Sequence, residues 1–264
     1  MNNAIGVFDS GVGGLTVARE IMRQLPNETI YYFGDVKNCP YGDKTKEEII
    51  KYTDRAVKFL IDKGVKMIVL ACNTATAAAL DYLQDKYDVP IIGVVQPGAR
   101  RAIQATENNK VLVLGTKFTA NSKVYDIEIE NINSEILVFD KACPAFVPFI
   151  ESEGNLDKEA TKNLLKETLS NTSNLGIDTV VLGCTHYPIL KKDIEEYYGN
   201  TIKVISSGRE AAREVSTVLG YAKLHQKRLN KKEHKFYISE DSENFNNIAS
   251  KWLNKEITAE VVKI

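Results

Sequence analysis

The 264-residue chain has a formal net charge of −1, with 44% hydrophobic and 26% charged residues. That length suits one large or two modest domains, and the near-neutral balance gives no electrostatic case for nucleic acid or an anionic membrane as partner. No apolar run approaches the roughly 18 residues of a membrane helix, and the four cysteines show neither a Cys-x-x-Cys pair nor zinc-ligand spacing, so no metal site is expected.

The chain opens straight into the strand pattern of residues 4–9, so no secretion signal is expected and the default setting is the cytoplasm, with reduced thiols. That strand runs into Ser10-Gly11-Val12-Gly13-Gly14 and a helix over 15–24. A second strand, 29–34, leads into the turn-rich Asp35-Val36-Lys37-Asn38-Cys39-Pro40-Tyr41-Gly42. The helix over 45–63 shows Ile49, Tyr52, Ala56, Phe59 and Leu60 at helical spacing, with Gly64 as its cap. Met67-Ile68-Val69-Leu70 then reaches Cys72 and a helix over 75–87, and the strand 90–95 ends in Gln96-Pro97-Gly98.

The second hundred residues repeat this order. A strand at 111–114 ends in Gly115-Thr116-Lys117-Phe118-Thr119, one at 136–139 leads to Cys143-Pro144, and 179–183 reaches Cys184-Thr185-His186-Tyr187-Pro188. A strand at 202–205 ends near Gly208. The matched positions Ile5/Val111, Cys39/Cys143, Cys72/Cys184 and Gly98/Gly208 are separated by 104 to 112 residues. The reading is an internal duplication: two similar α/β domains with parallel sheets, facing each other. A tail follows, with a helix over 209–226, a basic run at 226–232, a strand at 234–238, a helix over 242–253 opened by an Asp/Ser cap, and a strand-like run at 256–262. The basic run reads as a solvated helix end and loop.

Cys72 and Cys184 thus fall at the carboxyl ends of equivalent strands, where open α/β sheets bind ligands. Each is expected to precede a helix whose N-terminus favours a thiolate, and each has a proton-handling neighbour, Asp9 for Cys72 and His186 for Cys184. Two such thiols fit a two-base proton transfer at a carbon acid. The residues alone also leave open structural cysteines, a regulatory disulfide, and one covalent nucleophile with a chance partner. Hydroxyls and amides at the strand ends (Ser10, Tyr41-Gly42, Asn73-Thr74, Thr116, Thr119, Thr185) suit carboxylates and an ammonium. The segment 9–14 lacks the Gly-x-Gly-x-x-Gly order, which makes it a weak nucleotide signal, and no lysine stands in a Schiff-base context.

Five segments carry a resemblance to a known family. They are Gly6-Val7-Phe8-Asp9-Ser10-Gly11-Val12-Gly13-Gly14-Leu15-Thr16-Val17, residues 35–42, Ala71-Cys72-Asn73-Thr74-Ala75, Gly93-Val94-Val95-Gln96-Pro97-Gly98, and Gly183-Cys184-Thr185-His186-Tyr187-Pro188. In these the chain resembles the glutamate racemases of the aspartate/glutamate racemase superfamily. The resemblance implies two similar, pseudo-symmetric α/β domains with helices on both faces of parallel-rich sheets and the active site in the cleft between them. The first domain would comprise 1–97 and 208–264, and the second, inserted, 98–207.

It also implies interconversion of L- and D-glutamate without a cofactor, supplying peptidoglycan synthesis, by a homodimer. Cys72 would deprotonate D-glutamate with help from Asp9, and Cys184 L-glutamate with help from His186. Ser10, Tyr41, Gly42, Asn73, Thr74, Thr116, Thr119 and Thr185, with Asp9 and His186, would contact substrate. Glu151 would assist the histidine, against the alternative of an exposed helix-end glutamate. Gln96 stands where many members carry Glu, a departure expected to tune the region between the domains and to leave the chemistry intact. Without an N-terminal extension, activation by a cell-wall precursor is not expected.

Overall fold

In the computed structural model, residues 4–152, 157–226 and 233–264 are described. The basic run expected at 226–232 lies, apart from Gln226, outside them. No helix among the described residues is long and apolar enough to cross a membrane.

The chain alternates strand and helix as its periodicity requires. In order it forms β1 (Ile5–Asp9), α1 (Leu15–Gln24), β2 (Ile30–Gly34), α2 (Lys46–Asp62), β3 (Met67–Leu70), α3 (Asn73–Lys86) and β4 (Ile91–Gly93). The next stretch forms α4 (Val95–Ala105), β5 (Lys110–Gly115), α5 (Lys117–Asn121), α6 (Val124–Glu130), β6 (Leu137–Ala142), α7 (Phe146–Ser152), α8 (Lys158–Leu169), β7 (Thr179–Gly183), α9 (Lys191–Tyr197) and β8 (Lys203–Ser206). The tail is α10 (Ser207–Tyr221), β9 (Lys235–Ile238), α11 (Glu243–Leu253) and β10 (Glu260–Val261).

These elements fall into two compact units, residues 1–94 with 208–264, and residues 95–207. The first unit holds a six-stranded sheet of order β10-β9-β2-β1-β3-β4, and the second a four-stranded sheet of order β6-β5-β7-β8. Every described pairing is parallel. Both units therefore contain one arrangement, second-first-third-fourth in chain order, and the tail joins the first sheet by pairing β9 with β2.

Parallel strands covered on both faces bury every residue, and β1, β2 and β3 are buried throughout. On one face Ile5, Val7, Ile30, Tyr32, Met67 and Val69 join Leu15 and Ile21 of α1, Ala211 and Val215 of α10, and Phe245 of α11 in one core. The alternate residues turn to α2, as when Phe33 meets Phe59 with ring centroids 5.4 Å apart. In the second unit α4 and α6 supply Ala99, Ala102, Tyr125 and Ile129 to a core with Val111, Val113, Val181 and Ile205.

Local signals account for several boundaries. Thr45 accepts from the Glu48 amide and Glu48 from the Thr45 amide, a reciprocal capping box that opens α2. Ser242 caps α11 through the Phe245 amide. Two expectations are corrected. The strand expected over 90–95 ends at Gly93, and Gln96-Pro97-Gly98 is no turn but lies in the first turn of α4, where proline is tolerated because its missing N–H has no intrahelical partner. A boundary at 97/98 would cut this helix. Because α4 packs on β7, β8 and α6, the compact unit takes all of it, from Val95. The helices α5 to α8 also divide a stretch whose sequence pattern marked only strands.

One close approach links this frame to its chemistry. Gly14 opens α1 directly against Asp9, and a Cβ there would lie 2.4 Å from the Asp9 Cβ and 2.9 Å from the Tyr32 hydroxyl. Gly14→Ala is expected to cost about 1–3 kcal/mol of stability through this overlap. The test is a urea unfolding series, in which the midpoint should fall; an unchanged midpoint would contradict the packing.

Candidate active site

In a parallel sheet of order 2-1-3-4 the chain leaves the first strand to one side and enters the third on the other, so the loops after these two strands diverge and open a crevice. In the first unit those loops follow β1 and β3. The register pairs Phe8 with Leu70, so two steps on Ser10 comes opposite Cys72, and the Ser10 hydroxyl lies 3.6 Å from the Cys72 sulfur. In the second unit the loops follow β5 and β7. Gly115 pairs with Gly183, so one step on Thr116 comes opposite Cys184. Each thiol therefore has a hydroxyl residue across from it for the same topological reason.

Cys72 is the N-cap of α3, and its sulfur accepts a hydrogen bond from the Ala75 amide at 3.4 Å. The start of a helix is a place that accepts negative charge. Asn73 and Thr74, the first residues of α3, are each 2% exposed. Asp9, at the end of β1, is fully buried and takes the Gly11 amide at 3.0 Å. Tyr41 and Gly42 lie in a 3-10 turn, Tyr41–Asp43, that packs on α3. The Tyr41 hydroxyl donates to Asp35 Oδ2 at 2.6 Å. Burial, then the Asp35 charge and hydrogen bond, then Cys72 and Asp9, raise the Tyr41 ionisation far above the ordinary phenol range, so this hydroxyl keeps its proton.

Cys184 is built differently. The expected helix after it is instead a 3-10 turn, Tyr187–Leu190, begun after His186. The Tyr187 hydroxyl ties this turn down by donating to the carbonyls of Gly115 (3.1 Å) and Cys143 (2.9 Å), and its ring packs edge-on against Phe146 at 5.1 Å. His186 Nδ1 lies 3.8 Å from the Cys184 sulfur, and its Nε2 lies 2.7 Å from Glu151 Oε1. Burial would push this imidazole down, but the Cys184 sulfur and the Glu151 carboxylate outweigh it and hold the histidine pKa up at about 10. The imidazolium then donates from both nitrogens. Glu151, on α7, keeps only 28% of its side chain exposed and is a partner of the histidine, not a solvated helix end. Thr116 caps α5 by accepting from the Thr119 amide at 3.2 Å, and the two hydroxyls are 3.0 Å apart. Thr185 is 6% exposed.

The first unit thus gathers Asp9, Ser10, Cys72, Asn73 and Thr74, with Tyr41 and Gly42 on the adjoining turn. The second gathers Glu151, Thr185 and His186 around Cys184, with the Thr116–Thr119 cap on the loop that follows the neighbouring strand. All four cysteines are thiols. Cys143 is buried, and burial chiefly pushes its thiol up to about 12, so it stays protonated with its sulfur 3.6 Å from the Lys141 carbonyl. Gln96 donates to Glu128 at 2.8 Å, within the second unit. Sequence reasoning missed Asp35 as a site residue, although the segment 35–42 that holds it was noted. Its signal was an aspartate directly after a buried strand.

Because the His186 pKa is raised on folding from the ordinary 6.5, its pairing contributes stability that is complete below about pH 6.5 and is lost as pH rises through about 10. Glu151→Gln should lower the His186 titration midpoint, read by NMR of the imidazole nitrogens. A midpoint that does not move would remove Glu151 as the partner of the histidine.

The family model for Asp/Glu/Hydantoin racemase matches residues 5–215. A curated glutamate racemase from Staphylococcus epidermidis is 48% identical over 264 residues, covering 100% of this chain and 99% of that one. Among solved structures, a glutamate racemase from Bacillus anthracis superposes with a TM-score of 0.94 at 40% identity, covering 99% of this chain and 98% of that one. One from Francisella tularensis, in complex with D-glutamate, superposes with a TM-score of 0.90 at 36% identity and the same coverage.

Proposed function

The chain belongs to the Asp/Glu/Hydantoin racemase family, and from that membership we propose that it interconverts L- and D-glutamate by a cofactor-independent, two-base proton transfer at Cα. One observation carries the mechanism. Two thiols stand at equivalent strand ends of two like-ordered sheets, each with its own set of polar partners.

One sulfur enters turnover as thiolate and the other as thiol. With D-glutamate the Cys72 thiolate takes the Cα proton, the electron pair of the C–H bond passes into the substrate as a carbanion, and the Cys184 thiol delivers its proton to the opposite face. The product is L-glutamate, Cys72 is left as thiol and Cys184 as thiolate, and the reverse reaction starts from that state. Two acid/base groups suffice, because the carbon is only deprotonated and reprotonated.

The partners divide this work. The His186 imidazolium stabilises the Cys184 thiolate when that sulfur has given up its proton, and Glu151 keeps the ring oriented and charged. Asp9 assists proton movement at Cys72, whose sulfur also rests on the Ala75 amide. Ser10, the Tyr41-Gly42 turn, Asn73, Thr74, Thr116, Thr119 and Thr185 hold the two carboxylates and the ammonium, with backbone amides at the starts of α3 and α5 suited to the carboxylates.

The product serves peptidoglycan synthesis. Thiol chemistry without disulfides suits the reducing cytoplasm. The working form is a homodimer, a state that fits the exposed apolar side chains Ile127, Ile132 and Leu137 of the second unit.

The test is turnover of each enantiomer in deuterated water. Wild type should place one deuterium at Cα of the product formed early in the reaction. Cys72→Ala and Cys184→Ala should each lower kcat/KM in both directions by about 10²–10⁴-fold, since both thiols act in each direction. Wild-type racemisation by either variant would defeat the two-base reading.

A further inference from the structure

We propose that Asp35 is a positioning residue for the Cys72 half of this reaction: its buried carboxylate fixes the Tyr41 hydroxyl and with it the Tyr41-Gly42 turn that holds substrate. The proposal deepens the racemase reading and rests on it.

Asp35 follows β2 and is 2% exposed. A buried carboxylate is costly unless hydrogen bonds replace its water, and here they do so in a directed way. Oδ2 accepts the Tyr41 hydroxyl at 2.6 Å, and both oxygens lie 3.0 Å from Asn38 Nδ2. An apolar residue could fill this space without a desolvation cost. A carboxylate there instead determines where the hydroxyl proton of Tyr41 points.

The same residue is tied to the chemistry from its other end. The Asp35 amide donates to the Asp9 carbonyl at 3.0 Å, so the loop starts from the residue assigned as helper of Cys72. The 3-10 turn Tyr41–Asp43 packs on α3, whose N-cap is Cys72. The Tyr41 ring is held between Phe8 at the end of β1 (6.2 Å) and Tyr52 of α2 (6.1 Å). Asp35 thus closes a loop of contacts from the end of β1, through Tyr41, to the helix that begins at Cys72. With its proton committed to Asp35, the Tyr41 oxygen can present only lone pairs to any other group. That is the sense an ammonium needs.

The enantiomers of glutamate have equal free energies in water, so kcat/KM must be equal in the two directions for every variant. An effect confined to the Cys72 side therefore shows in the isotope effects, not in that ratio. The experiment measures kcat, KM and the primary deuterium effect with [2-²H]-D-glutamate and [2-²H]-L-glutamate for Asp35→Ala, Asp35→Asn and Lys37→Ala. Lys37 is an exposed side chain on the same loop.

Asp35→Ala should lose about 10²-fold in kcat/KM, the scale of an ångström of misplacement. Its isotope effect should rise with deuterated D-glutamate, as transfer to Cys72 becomes limiting, and fall with deuterated L-glutamate. Asp35→Asn keeps an acceptor for Tyr41 and should recover to within about 10-fold of wild type. Lys37→Ala should match wild type.

Wild-type kinetics in Asp35→Ala would overturn the proposal. So would activity lost only in step with the folded fraction with both isotope effects unchanged, or a Lys37→Ala variant that reproduces the loss. Wild-type turnover in the same assay keeps the two readings apart. Its absence would remove the racemase reading and this one with it, whereas active wild type with an unaffected Asp35→Ala removes this one alone.

Discussion

Everything chemical in this chain depends on the parallel pairing of the first and third strands in each unit. Pairing β1 with β3 and β5 with β7 sends the loops that follow them apart and leaves a crevice at the carboxyl ends. The register then decides which residues come opposite the thiols, Ser10 to Cys72 and Thr116 to Cys184. A slip of one residue would turn each neighbouring side chain to the other face of its sheet. The apolar alternation that buries Ile5, Val7, Met67 and Val69 against α1, α10 and α11 is therefore also what aims the thiol. Core packing and site geometry are one constraint in these sheets.

Upon that shared frame the two thiols receive different surroundings. Cys72 sits at a helix start and leans on an amide, with the buried Asp9 carboxylate one residue before the facing Ser10. Cys184 precedes a 3-10 turn and has a charged imidazole in place of helix amides, with a carboxylate behind the ring. Tyr187 is the reason for the difference. Its hydroxyl spans the carbonyls of Gly115 and Cys143 and holds the turn in a form that keeps His186 beside the sulfur. A negative sulfur thus finds a fixed partial charge on one side and a full counter-charge on the other.

Much of this was legible in the chain because parallel strands write themselves as unbroken apolar runs. The alternation of such runs with helical spacing gave the fold class, and the twin order of Cys72 and Cys184 marked the chemistry. What stayed hidden depends on contacts distant in sequence. Glu151 has no local feature that separates it from a solvated helix end; only the meeting of α7 with the turn after Cys184 makes it a partner for His186. Asp35 was passed over because its hydrogen bonds run to a turn six residues on, and turn geometry is not spaced periodically. The start of α4 was misjudged because Pro97-Gly98 is turn chemistry by composition, yet proline in a first helical turn loses no bond. Helices α5 to α7, at five to seven residues, are too short to build a periodic signal.

The unlike partners of the two thiols do not conflict with the symmetry of the reaction. Equal free energies of the enantiomers constrain the overall equilibrium, not the two proton transfers that compose it. A chiral protein cannot offer mirror-image surroundings to mirror-image substrates, so two identical bases would have no reason to work equally well. What each sulfur needs is a means to exist as thiolate long enough to take a proton and as thiol long enough to return one. An amide at a helix start serves without titrating, whereas the imidazole held near pKa 10 stays cationic through neutral pH. The amide therefore persists while its sulfur changes charge, whereas the imidazole's charge is tied to that of the Cys184 sulfur and is backed by Glu151.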